Sequence, residues 1–164
     1  MDARALLVRP FQPTDEEEAR SVLAAGFKEQ FGDAYDEAGD HELDDVSAPF
    51  SQGLFLVAVV EGRVVGTGGL VVPADDAAEI RRMSTKREYR RRGVASAVLR
   101  ALLDEAWTRG CRRVVLGTEA AWDDAVSFYR AHGFGETERP GSSIWFERVL
   151  EDDAPAPNLG ESLT

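Results

Sequence analysis

The chain has 164 residues, room for one self-sufficient core. Its net charge of −11 excludes a general nucleic-acid binder, which needs a basic face to meet phosphate. No apolar run approaches the ~20 residues of a membrane span, and Met1 to Pro10 lacks a signal-peptide pattern, so a cytoplasmic protein is the default expectation. The single cysteine, Cys111, cannot form an internal disulfide and sits in Arg-Gly-Cys-Arg, with no nucleophile signature around it. A filler role is the simpler reading. Charge is unevenly placed. Thr14 to Asp45 holds twelve Asp or Glu against Arg20 and Lys28, whereas Arg81 to Arg92 holds seven Lys or Arg against Glu88. A positive island in a negative protein implies a local anion site.

In chain order, Ala5 to Val8 is a short apolar strand ended by prolines. Thr14, followed by Glu17, predicts a capping box and a helix running through Val22, Leu23, Phe27 and Phe31 to Gly32. Asp33 to Pro49 is acidic and weakly periodic, a loop with room for a short helix. Leu54–Val60 and Arg63–Val72, joined by Glu61-Gly62, predict an antiparallel hairpin. A second turn at Pro73–Asp76 leads to a strand over Ala77–Met83. Gly93 to Gly110 is the clearest helix, with Val94, Val98, Ala101, Leu102 and Ala106 on one face and Gly110 as its stop. Arg113–Gly117 reads as a strand, Asp123–His132 as a helix closed by Gly133, and Ile144–Val149 as the last strand. Residues 1–150 are expected to form one domain, and 151–164 a loose tail. The element order predicts an α/β architecture, a mixed sheet covered by helices.

The most informative stretch runs from Glu79 to Ala95. It is a strand, a basic loop, and a helix start at Gly93. Amides at a helix start are unpaired and carry the positive end of the dipole, and phosphate oxygens satisfy both needs. Gly93 lacks a Cβ, so an anion can approach the backbone, and Arg90, Arg91 and Arg92 supply charge and donors. The same residues also fit a solvated basic turn before an amphipathic helix. No Gly-Lys-Ser or Gly-Lys-Thr is present, which excludes a P-loop, and a lone glycine excludes a dinucleotide fingerprint.

Arg90-Arg91-Arg92-Gly93-Val94-Ala95 resembles the Arg/Gln-x-x-Gly-x-Gly/Ala signature of the GCN5-related N-acetyltransferases. Ala125-Val126-Ser127-Phe128-Tyr129-Arg130-Ala131-His132-Gly133-Phe134 resembles that family's Ala-x-x-x-Tyr-x-x-x-Gly-Phe element. The resemblance covers about Gly53 to Glu147. It implies a mixed, mostly antiparallel central sheet of about six or seven strands with helices on both faces. It implies acetyl-CoA as co-substrate, with no metal. Met83, Ser84 and Thr85 would lie along the pantetheine arm, with Arg90 to Arg92, Gly93, Val94, Ala95 and Ser96 about the pyrophosphate. Two positions depart from the pattern: Trp122 stands where many relatives have an asparagine, and Ala95 replaces the final glycine.

Acetyl transfer to an amine needs a neutral amine, a stabilised carbonyl oxygen and a protonated leaving thiolate. The resemblance implies Tyr129 as the acid, and a phenol near ~10 can protonate a thiolate near ~8.5. A packing tyrosine is the alternative. Glu79 is the candidate base, and equally a surface partner for Arg81 or Arg82. Glu119 is the reserve. A backbone N–H near Met83 would hold the carbonyl oxygen. His132 reads as a helix cap and His41 lies alone in the acidic loop. The acceptor is expected to be a small-molecule amine, cationic if the acidic stretch walls its site, with Asp33 to Asp45 as a lid. A solvated acidic face is the plainer reading of those charges. Protein amines as acceptors, a non-catalytic acyl-CoA sensor and a homodimer all stay open.

Overall fold

The computed structural model describes residues 5–32, 43–74 and 76–151. The tail beyond 151, most of the expected lid and His41 lie outside the described residues. A 7-stranded sheet runs in the order β1-β2-β3-β4-β5-β7-β6. Its strands are β1 (Leu6–Pro10), β2 (Leu54–Val60), β3 (Arg63–Ala74), β4 (Ala77–Thr85), β5 (Arg113–Glu119), β6 (Gly135–Glu138) and β7 (Ser143–Val149). Helices α1 (Glu16–Phe31), α2 (Val94–Thr108) and α3 (Asp123–Ala131) complete it. Pairing is antiparallel in β1–β2, β2–β3, β5–β7 and β6–β7, and parallel in β4–β5. This is the mixed, mostly antiparallel sheet that the sequence implied. Contacts group the chain into two compact units, Met1–Val71 with Arg82–Leu102, and Val72–Arg81 with Leu103–Thr164.

In the first unit, Glu61 (φ 52°) and Gly62 (φ 78°) form the tight left-handed turn that a two-residue hairpin loop requires. Val57, Ala58 and Val65 on the two strands are fully enclosed, and Phe50 stacks on Phe55 at 4.9 Å. Ala19, Val22, Leu23 and Ala24 of α1 join Leu43, Val46 and Phe50 in the same core. The expected start of α1 is corrected. A 3-10 turn at Pro13–Asp15 precedes the helix, and Asp15, not Thr14, organises the entry. Its carboxylate accepts Arg9 Nη1 at 2.7 Å and Nη2 at 3.0 Å, and the Gln12 amide at 2.8 Å. The Arg9 guanidinium holds this carboxyl below the usual range, against the opposing effect of burial. A hydroxyl at Thr14 cannot offer that charged partner.

The glycines of β3 allow close approach of α2. A Cβ at Gly68 would stand 2.6 Å from Val98 Cγ1 and 2.7 Å from Met83 Sδ; one at Gly66 would stand 2.9 Å from Val94 Cγ1. Gly68→Val is therefore expected to lower stability by about 2–3 kcal/mol, the usual cost of overpacking. Thermal unfolding measures it, and a melting point equal to wild type would show that α2 does not depend on that gap.

In the second unit, β5 and β7 pair over their full lengths, burying Val114, Leu116, Ile144 and Phe146 on one face. The Tyr129 ring sits 5.8 Å from Phe134 and 6.2 Å from Phe146. Cys111 is 1% exposed, and burial raises its thiol pKa, in keeping with the filler reading. β6 was not expected.

Candidate active site

The loop after β4 is built within the first unit. Arg82 has φ 61° inside the strand, a left-handed residue of the kind found at bulges, and its carbonyl accepts the buried Thr67 hydroxyl at 2.7 Å. Ser84 Oγ points away from the loop, toward α1, where it donates to Val22 O at 3.4 Å. A Cβ at Gly26 would stand 2.7 Å from that oxygen, which explains a glycine in mid-helix. The Met83 sulfur is tucked beside Gly68. If Met83, Ser84 and Thr85 meet a ligand, their backbone is the part suited to it.

A 3-10 turn at Arg87–Tyr89 carries the chain on, with Lys86 N donating to Val65 O at 2.8 Å. Arg91 (φ 62°) and Gly93 (φ 85°) then fold the chain into the start of α2. Nothing lies within 4 Å of where a Cβ on Gly93 would be. Ala97 N to Gly93 O, 3.0 Å, is the first bond into the helix, and the amides of Gly93, Val94 and Ala95 precede it without a partner among the described residues. Ser96 completes the first turn. Val94 itself is buried beneath, with its side chain against Gly66. Arg92 lies over the Tyr89 ring at 5.4 Å, while Arg91 and Arg92 are exposed. Unpaired amides, an open glycine and two exposed guanidiniums can hold a pyrophosphate.

Arg90 is differently placed. Its Nη1 and Nη2 donate to Glu29 at 2.8 Å and 2.6 Å, and its Nε to Thr85 O at 3.1 Å. Arg87 adds a further bond to Glu29 at 3.3 Å. Arg90 and then Arg87 lower the Glu29 pKa to about 2, so this carboxylate is ionised at any physiological pH.

The candidate catalytic residues lie in the second unit. Tyr129 is 7% exposed, packed among Phe128, Phe134 and Phe146. Among the described residues its hydroxyl makes no hydrogen bond and no fully buried side-chain polar atom lacks a partner, so the oxygen keeps some exposure. Burial raises the phenol pKa well above its ordinary value and keeps it protonated. Glu79 is an ion-pair partner of Arg81, at 3.1 Å. That is the partnership the sequence left open beside a base role. Parallel pairing of β4 with β5 stops at Glu79 and Val115, so Ile80, Arg81 and Leu116–Glu119 run on without pairing to each other. Glu119 accepts the Ser142 hydroxyl at 3.0 Å. Trp122 precedes α3 without capping it by its side chain, and Asp123 and Asp124 supply the acidic first turn instead. His132 sits at the end of α3 with Nδ1 2.9 Å from Phe128 O, the cap that the sequence suggested.

The model of the acetyltransferase (GNAT) family matches residues 17–134. The chain belongs to this family. It is 40% identical over 104 residues to N-acetylaspartate synthetase of Danio rerio, covering 59% of this chain and 37% of that protein. It is 33% identical over 101 residues to N-acetyltransferase 8B of Homo sapiens, covering 58% and 44%. The chain thus spans less than half the length of these two curated relatives. Among solved structures, the PaiA N-acetyltransferase of Thermoplasma acidophilum, in complex with coenzyme A, superposes with a TM-score of 0.79 at 21% identity. That match covers 89% of this chain and 99% of the other, and at such identity it speaks for the GNAT fold alone.

Two features of this GNAT chain were not foreseen. One is Glu29, remote in sequence from the arginines it holds. The other is Trp145, whose indole lies across Gly117: a Cβ there would be 2.7 Å from Cε2. A glycine within an apolar strand was the available signal for the second. Among the described residues no group of His, Cys, Asp and Glu could hold a metal, and no helix is long and apolar enough to cross a membrane.

Proposed function

We propose that the protein is an acetyl-CoA-dependent N-acetyltransferase acting on the primary amine of a small molecule. The observation that carries the reading is the loop leading into α2, where the amides of Gly93, Val94 and Ala95 have no partner among the described residues and an open glycine stands at φ 85°. Such amides at a helix start, beside exposed guanidiniums, suit the oxygens of a pyrophosphate. Family membership makes acetyl-CoA the pyrophosphate-bearing partner of choice.

Bound acetyl-CoA supplies the acetyl group as a thioester and takes away the thiol as leaving group. The protein's own residues have three tasks. The amides of Gly93 to Ala95 donate to the pyrophosphate and the Arg91 and Arg92 guanidiniums neutralise it, while the backbone of Met83 to Thr85 orients the arm and offers an N–H to the carbonyl oxygen. Tyr129 donates its proton to the departing sulfur as the carbon–sulfur bond breaks and the carbon–nitrogen bond forms, and regains a proton from solvent before the next turnover. The amine's surplus proton leaves to water or to Glu79, once Arg81 releases that carboxylate. A desolvated amine needs little help, because burial lowers its pKa.

Fewer carboxylates are free to favour a cationic acceptor than the acidic composition suggests. Within Thr14 to Asp45, Asp15, Glu16, Glu18 and Glu29 are each committed to an arginine. Small neutral or anionic amines therefore belong in the test beside polyamines. Release of free CoA from acetyl-CoA, followed across amino acids, polyamines, aminoglycosides and basic peptides, distinguishes the classes. Turnover confined to peptides would replace the small-molecule reading, and acetyl-CoA binding without turnover on any amine would favour a sensor.

A further inference from the structure

Helix α1 presents Val22, Gly26 and Glu29 along one stripe, at helical spacing. Each touches the segment leading to the loop: Val22 O accepts Ser84 Oγ, Gly26 gives that hydroxyl room, and Glu29 holds Arg90. Arg90 in turn ties Thr85 O, at the end of β4, to the carboxylate on α1. Its guanidinium thereby bridges strand end and helix directly before Arg91, where the backbone turns left-handed. The bond to Glu29 is bidentate, 2.6 Å and 2.8 Å, a geometry that fixes the plane and direction of the guanidinium. Arg87 braces the same carboxylate from the preceding turn.

We propose that Glu29 is a positioning residue for the anion-binding loop, with Arg90 as its strut and not a phosphate ligand. The proposal rests on the reading of that loop as the acetyl-CoA pyrophosphate site. Phosphate recognition then falls to the amides at the start of α2 and to Arg91 and Arg92. Glu29 brings a negative charge close to an anion site, and the paired arginines neutralise it. Loss of either partner would release the loop or leave a charge of one sign unbalanced.

A double-mutant cycle tests this, with acetyl-CoA Kd from titration calorimetry and kcat and KM from CoA release. Glu29→Gln and Arg90→Ala are each expected to raise Kd and the acetyl-CoA KM about fivefold, the scale of a well-formed bidentate pair. The double variant should be no worse than the weaker single. Saturating kcat should stay within about twofold, whereas simple misfolding would lower kcat through the active fraction and leave KM alone. Glu29→Gln binding acetyl-CoA as tightly as wild type, or more tightly, would overturn the proposal, because it would mean that a released Arg90 serves the phosphate. Full multiplication of the two effects in the double variant would overturn it as well. Wild type that fails to bind acetyl-CoA would instead remove the underlying site reading.

Discussion

Tyr129→Phe is expected to lower kcat by about 100- to 1,000-fold while leaving the acetyl-CoA Kd within about twofold, the range for loss of a general acid. The substitution keeps the ring among Phe128, Phe134 and Phe146 and removes only the hydroxyl. That hydroxyl has no hydrogen-bond partner among the described residues, so its removal should change stability by less than about 1 kcal/mol. Packing and chemistry therefore separate in one variant. Free-CoA release under saturating acetyl-CoA measures the effect, and a kcat within threefold of wild type would reduce Tyr129 to a packing residue. Burial also fixes a pH dependence. It raises the phenol pKa in the folded chain above the value of about 10 in the unfolded one. Above that pH the unfolded chain loses its proton first and binds fewer protons than the folded chain. Stability is consequently intact below about pH 10 and falls as pH rises beyond it. Chemical denaturation at pH 9 and 11, compared between wild type and Tyr129→Phe, should show a smaller alkaline loss in the variant.

The second large effect is expected at Gly93. At φ 85° a valine is strained, at a cost of about 1–3 kcal/mol, and its branches would occupy the space above the first amides of α2. Gly93→Val should raise the acetyl-CoA Kd by about 30-fold or more. The protein should stay folded, because no atom lies within 4 Å of the new Cβ and the residue is exposed. Gly93→Ala, with the same backbone penalty class but less bulk, should fall between the two. Calorimetric titration checks the order, and a valine variant that binds as wild type would show that no ligand approaches this backbone.

Local chemistry made much of the fold legible. Glu61-Gly62 between two apolar runs could hardly be other than a hairpin turn, and Gly32, Gly110 and Gly133 marked helix ends through their positive φ. The start of α1 was misread at Thr14, because Arg9, six residues before Asp15, decides which side chain organises it. β6 left no trace in the pattern. All four of its residues are exposed, so no apolar alternation exists, and the register shifts between Glu136 and Glu138.

The candidate site was legible to the same depth. A basic stretch ending in glycine before an apolar helix face marked the loop and led to the proposal of an anionic ligand there. It could not divide the labour among Arg90, Arg91 and Arg92, since composition treats three adjacent guanidiniums alike. The carboxylate that sets Arg90 apart lies 61 residues away along the chain. Glu79 shows the same limit: a carboxylate two residues from an arginine on a strand can be base or ion-pair partner, and only geometry gives it to Arg81.

The segment from Arg91 to Ser96 is proposed to hold the pyrophosphate of acetyl-CoA. Binding of acetyl-CoA and of S-acetylpantetheine, which carries the same thioester and arm without the pyrophosphate, tests it in one calorimetric comparison. Acetyl-CoA is expected to bind wild type at least about 100-fold more tightly than S-acetylpantetheine, a difference of about 2.7 kcal/mol, and Gly93→Val is expected to erase most of that gap. Equal affinity for the two ligands, or a gap unchanged in Gly93→Val, would contradict it.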